Sequence, residues 1–141
     1  MKRRGFTLIE LIIVLAIISI SFLILTFRFS VIDKIGAENE IKTFVNDYYY
    51  ARDKAISSGV EVIINLTDKN YGIKSQNKTI KRNLKYIKSL NTTEIIIQES
   101  GYVLVNKTKE DHNLEFVSKK DSQKYWKFTI QAVGGYLNEK E

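Results

Sequence analysis

The sequence predicts an α+β chain: a long N-terminal helix, one half membrane-embedded and the other amphipathic, packed on a small antiparallel β-sheet. Three observations predict this. Residues 6–27, FTLIELIIVLAIISISFLILTF, form one apolar run. Apolar positions then recur mostly at steps of three and four as far as Ile56, the spacing of one helix face. After Gly59 the period drops to two, the spacing of a strand with one buried face.

The apolar run comes first in the chain and carries the most information. About 20 apolar residues cross a bilayer core. Residues 6–27 supply that length, with Thr7, Glu10, Ser19, Ser21 and Thr26 as the polar interruptions. Lys2, Arg3 and Arg4 precede the run, which sets the N-terminus in the cytoplasm and the remainder outside. A secretory signal has a shorter core, about 7–15 apolar residues, followed by a small-residue cleavage site. Here residues 22–29 are bulky and Arg28 closes the run. A plain membrane anchor fits the length but leaves Glu10 unexplained. A carboxylate at membrane depth costs about 2.5–3.5 kcal/mol on insertion scales and usually has a partner. Snorkelling towards the cytoplasmic interface is the bland alternative. Cleavage before Phe6 would create the partner: a new α-amino group, largely protonated near neutral pH.

The helical pattern continues beyond Phe29. Ile32, Ile35, Ile41, Phe44, Val45, Tyr48, Ala51, Ala55 and Ile56 form an apolar stripe among charged and polar neighbours. The chain has no proline, and Gly36 is the only weak point. One helix from Phe6 to Ser58 is therefore expected, about 80 Å long at 1.5 Å per residue. Gly59 after Ser57-Ser58 is its stop. Tyr48, Tyr49 and Tyr50 are read as core and rim rings, because no cofactor signature accompanies them.

Beyond Gly59, residues 60–66 and 71–75 read as strands joined by a turn at Thr67–Asn70. Further strands are expected at 93–98, 101–106, 113–118 and 125–133. Loops are expected at 107–112 and 119–123. Gly134-Gly135 ends the penultimate segment, and Tyr136-Leu137 adds a short edge. Trp126 is assigned to core or interface.

Composition narrows the function classes. A chain of 141 residues, less a membrane segment, leaves one small domain. With no cysteine there is no disulfide framework and no thiolate chemistry. His112 is the only histidine and is read as a solvated loop residue between Glu110-Asp111 and Asn113, so no metal site is expected. No phosphate loop or nucleophile motif appears, and neither an enzyme nor a cofactor is expected. The net charge is +6. One segment is one-sided: Lys69, Lys74, Lys78, Lys81, Arg82, Lys85 and Lys88 lie between Asp68 and Glu94 with no acid among them. Tyr71 and Tyr86 are interleaved. The segment reads either as a patch that tracks the phosphates of DNA, or as a solvated basic loop facing water or a neighbour's acids.

The string Arg4-Gly5-Phe6-Thr7-Leu8-Ile9-Glu10 resembles the processing site of type IV prepilins and pseudopilins. The resemblance implies that prepilin peptidase cuts after Gly5 and methylates the new N-terminal amine of Phe6. It implies that Glu10 neutralises a neighbouring subunit's N-terminus during assembly. Residues 1–5 are then a leader, 6–27 a transmembrane and assembly helix, and 28–141 an extracytoplasmic pilin-like domain, with helix over 28–58 and a β-rich region over 60–137. Such a chain sits in the cell membrane as a single-pass precursor and moves into a surface filament with other pilin or pseudopilin subunits. Residues 48–73, and the closing FTIQAVGGYLN at 128–138, are similar to H-type pseudopilins of type II secretion and to the D-type pseudopilin of Gram-positive competence systems. The absence of proline departs from major pilins. The presence of Glu10 departs from the tip-most pseudopilin type. A minor pilin or pseudopilin for DNA uptake, secretion or a related pilus is the leading expectation. The alternatives are a DNA-binding minor pilin using segment 69–93, or a single-pass membrane-anchored protein unrelated to pili.

Overall fold

A computed structural model describes residues 7–76, 78–106 and 112–140, with side chains described for all of these except 24–30. The chain divides into two compact units, Met1–Ile35 and Gly36–Glu141. One α-helix, α1, spans Leu8–Ser58 and is 51 residues long.

In the first unit the helix starts at Thr7. The Glu10 N–H donates to the Thr7 carbonyl (3.1 Å) and to Thr7 Oγ1 (3.4 Å). Thr7-x-x-Glu10 thus has the spacing of a capping box, in which a hydroxyl satisfies one of the orphan N–H groups of the first turn. Every described side chain from Thr7 to Leu23 is exposed. The hydroxyls of Ser19 and Ser21 donate back to the carbonyls of Leu15 and Ile17, both at 2.8 Å. The polar interruptions of the run are thereby satisfied within the helix itself. Among the described residues no helix is long and apolar enough to cross a membrane. The described side chains of the apolar run end at Leu23.

In the second unit the helix buries Ala37, Ile41, Phe44, Tyr48, Ala51 and Ala55, at alternating steps of four and three. This stripe is narrower than expected, because Ile56 is 45% exposed. Ile56 follows Ala55 by one residue, which turns it about 100° away from the buried face. Ile32 and Ile35, also read into the stripe, belong to the first unit and are exposed. The helix ends as expected at Gly59, whose φ is 61°. The Val60 N–H reaches back to the Ala55 carbonyl (3.3 Å), the six-to-one bond of a Schellman cap.

Among the described residues nine strands come after the helix: β1 (Val62–Leu66), β2 (Asn70–Ser75), β3 (Lys78–Asn83), β4 (Ile87–Ser89), β5 (Thr93–Ile97), β6 (Val103–Val105), β7 (Asn113–Ser118), β8 (Tyr125–Ile130) and β9 (Leu137–Lys140). The α+β class is as expected, but the strands form two antiparallel sheets rather than one. Their orders are β3-β2-β1-β5-β6 and β4-β7-β8-β9. Strands β3 and β4 are not expected from the sequence. β3 reads KTIKRN, with Ile80 as its single apolar residue, so period two is invisible in it. It is an edge strand, where lysines discourage pairing with another chain. β4 is only three residues long. Leu84, between them, is buried.

The five-stranded sheet carries a continuous inner row, Ile80–Ile73–Ile64–Ile95–Val105, each residue opposite the next in the ladder. The four-stranded sheet contributes Phe116 and Phe128 to the same core. Phe44 joins the two contributions: its ring lies 5.2 Å from that of Tyr71, edge-on, and 4.8 Å from that of Phe116. Tyr48 is fully buried, Tyr49 half-buried and Tyr50 49% exposed, the expected core-to-rim gradient. Trp126 packs partly buried against the core. His112 is not the solvated residue expected. It leads into β7, its carbonyl accepts from the Ile130 N–H (2.8 Å), and its Nε2 is buried without a hydrogen-bond partner. Backbone pairing with β8 is what draws it in.

Gly36 is required by close packing, and its weakness as a helix former is secondary. A Cβ there would lie 2.8 Å from three carbons of the Tyr86 ring. We expect Gly36→Ala to lower the thermal midpoint of the full chain in detergent. The helix-propensity gain of about 1 kcal/mol is outweighed by overpacking of about 1–3 kcal/mol. A higher midpoint would show that Tyr86 moves aside freely.

Candidate functional site

Three sets of residues stand out in the sequence, and the structure places them differently. Gly5 and Phe6 lie outside the described residues. Glu10 is the acidic residue of the first turn of α1 and its side chain is exposed. There it complements the positive end of the helix dipole, an effect of about 0.3–1 kcal/mol. Around it, Leu8, Ile9, Leu11, Ile12 and Ile13 are all more than half exposed. A helix apolar on every face needs cover from lipid or from other helices. A lone carboxylate in such a surface is a strong electrostatic landmark for whatever covers it.

The seven cations between Asp68 and Glu94 are not gathered on one surface. Lys74 and Lys81 lie on the face of β2–β3 turned away from the inner isoleucine row. Lys78 lies on the opposite face, where it lines a groove of about 340 Å3 with Tyr50 and Lys54. Arg82 is engaged by Asp47: Nε donates to Oδ2 at 2.5 Å and the guanidinium reaches Oδ1 at 3.3 Å. The hydrogen bond to Asp47 raises the Arg82 pKa further above its usual value. Lys85 Nζ stands 5.0 Å over the Tyr86 ring. Lys69 occupies the β1–β2 turn, and Lys88 belongs to the other sheet.

The sequence reading missed a set of polar hooks by which the helix holds the sheets. The Glu40 carboxylate accepts three backbone N–H groups, from Lys85 (2.5 Å), Tyr86 (2.8 Å) and Ile87 (3.0 Å). Asp47 also accepts from the Tyr71 hydroxyl (2.6 Å). Burial, then that hydrogen bond, holds the Tyr71 phenol well above its ordinary pKa, so it remains a donor. Glu38 pairs with Lys124 at 2.5 Å. Tyr48 and Arg52 donate to the carbonyls of Gly135 (3.0 Å) and Gly134 (2.5 Å), and the Leu137 N–H donates to the Tyr49 hydroxyl (3.2 Å). Glu40 and Asp47 are seven residues apart, hence on one helix face. That spacing is the only signal the sequence offered. Among the described residues there is no metal-ligating cluster.

Residues 1–26 match the family model of the prokaryotic N-terminal methylation motif. This N-terminal segment is of the type IV prepilin-like kind. The match takes in Gly5, Phe6 and Glu10. Comparison with curated proteins and with solved structures gives no match. Beyond Ile35 the described residues form one α-helical segment and two antiparallel sheets, an α+β pilin-like arrangement.

Proposed function

We propose that this prepilin-like protein is a minor pilin or pseudopilin, a structural subunit of a type IV pilus-like filament. Prepilin peptidase cuts it after Gly5 and methylates Phe6. The precursor is a single-pass membrane protein with residues 1–5 in the cytoplasm, residues 6–27 in the bilayer and 28–141 outside. Assembly draws the apolar helices together, and Glu10 pairs with the α-ammonium of a neighbour's Phe6. One observation carries the reading: a methylation motif ends on a helix whose described apolar side chains are exposed on all faces, with one carboxylate in the first turn. Lipid and other helices are the two covers available to such a surface. A charge there is tolerated best beside an opposite one.

Mass spectrometry of the mature chain purified from cells with an active prepilin peptidase tests the processing step. The expected product begins at N-methylated Phe6. A chain that retains Met1 under those conditions would favour an unrelated membrane-anchored protein. DNA uptake in competence, type II secretion and type IV pili are variants of the same assembly. The similarity of segments 48–73 and 128–138 to H-type and D-type pseudopilins is compatible with both secretion and DNA uptake. Direct DNA binding takes second place. A phosphate-tracking strip needs adjacent free cations, and of the seven only Lys74 and Lys81 share one open face of the β2–β3 hairpin.

A further inference from the structure

Strand β3 ends the five-stranded sheet, so one side of its backbone has no neighbour among the described strands. In an antiparallel ladder every second residue turns its N–H and C=O away from the partner strand. β3 therefore offers backbone groups at the spacing of one more strand. On its helix-facing side lie Lys78, Ile80 and Arg82. Along α1, Asp47, Tyr50, Lys54 and Ser58 follow at steps of three and four, hence on one helix face. At one end the two rows are tied, because Asp47 holds Arg82 at 2.5 Å. Beyond that tie they part. A groove of about 340 Å3 opens between Tyr50, Lys54 and Ser58 of the helix and Ser75, Gln76 and Lys78 of the β2–β3 hairpin. An apolar slot of about 40 Å3 adjoins it, where Ile80 joins Tyr50, Lys54 and Lys78 in the lining. Ala51, Val62 and Ile73 behind the slot are buried by the chain itself. The surface left to a ligand is half-buried Ile80, exposed Tyr50 and the two lysines. No acid lines either space. Neither Lys54 nor Lys78 forms an ion pair among the described residues. Two like charges lining one open groove favour an anion between them.

We infer that the β3 edge and this groove take up an extended segment of another protein as an added strand. An aliphatic side chain of the segment lies against Ile80. An acidic one, two residues along on the same face, lies between Lys54 and Lys78. That step of two matches the step from Ile80 to Lys78 on β3. Main-chain hydrogen bonds to β3 hold the segment, and its alternate side chains select it. The lysines that keep two copies of this edge from pairing are the groups that admit an acidic strand. Nucleic acid has no peptide backbone with which to continue a ladder, so the open edge favours a polypeptide over DNA.

The test uses the full chain in detergent and a labelled peptide in which threonine alternates with, in turn, valine and glutamate. Fluorescence anisotropy should show saturable binding. Exchanging the peptide's glutamates for lysines should weaken it at least tenfold, and so should N-methylating alternate backbone nitrogens, which removes the donors of one edge. Lys54→Glu with Lys78→Glu should reverse the preference, so that the lysine peptide binds better. Both side chains are exposed, so the thermal midpoint should stay near that of the wild type. Lys54→Gln with Lys78→Gln checks the same point without new charge, and should erase the discrimination between the two peptides. Binding indifferent to peptide charge or to N-methylation would overturn the inference, as would no binding at all. Displacement of the peptide by a mixed-sequence oligonucleotide would overturn it in favour of nucleic acid. Self-association through the same lysines, without peptide binding, would make the occupant a second copy and overturn it as well.

Discussion

Glu10→Gln is expected to drop the subunit out of filaments by tenfold or more, with little effect on its amount in the membrane. Glutamine keeps the size and an acceptor oxygen but loses the charge. A hydrogen bond to a charged group is worth about 1.5–3 kcal/mol, and each 1.4 kcal/mol is about tenfold in an equilibrium. The competing role for Glu10 is local. It stands in the first turn of α1, beside the Thr7 cap. A helix-end charge is worth about 0.3–1 kcal/mol and acts on the helix, whether or not the subunit assembles. The two roles separate by comparing sheared filaments with membranes on an immunoblot. Equal incorporation of wild type and Glu10→Gln would leave Glu10 a helix-end residue and remove the electrostatic basis for assembly.

Phe44→Ala should have the largest effect on folding, about 3–5 kcal/mol. Phe44 is 1% exposed and its ring meets Tyr71 from one sheet and Phe116 from the other. Truncation therefore opens a cavity where both sheets meet the helix. Small domains have about 5–15 kcal/mol of stability in all, so such a loss is a large share. Limited proteolysis of the full chain in detergent should cut the variant within the second unit under conditions that spare the wild type. Phe44→Leu, which leaves less empty space, should be intermediate. Equal resistance of Phe44→Ala would mean that the surrounding rings collapse onto the gap.

How much of the molecule is legible in the sequence depends on how local the cause is. β1, β5 and β7 read with nearly their observed bounds, because Val62, Ile64 and Leu66, and likewise Ile95 and Ile97, alternate cleanly with outward residues. β3 does not, since an edge strand with one apolar residue has no alternation to read. The second sheet escapes for the same reason: β4 is too short to show a period, and it is the strand that pairs with β7 outside the first sheet. The Gly59 and Gly134-Gly135 stops are legible because positive φ has a residue signature. At the candidate site, the Arg4–Glu10 string is legible as a local spacing. Arg82 is not: its commitment to Asp47 joins residues 35 positions apart, and charge counting along the chain cannot see it. The same holds for Glu40, whose partners lie 45–47 positions away.

Glu40 has a mechanical consequence. Its three donors sit where the chain leaves β3 in one sheet and enters β4 in the other. The two sheets share no strand. A pull on the helix at residue 40 is therefore delivered to both layers at once, at the seam between them, by a single side chain. Under tension the carboxylate behaves like a rivet through two plates. If it shears, the load passes to the separate ties of each layer, Asp47 to Tyr71 and Arg82 on one side and Glu38 to Lys124 on the other.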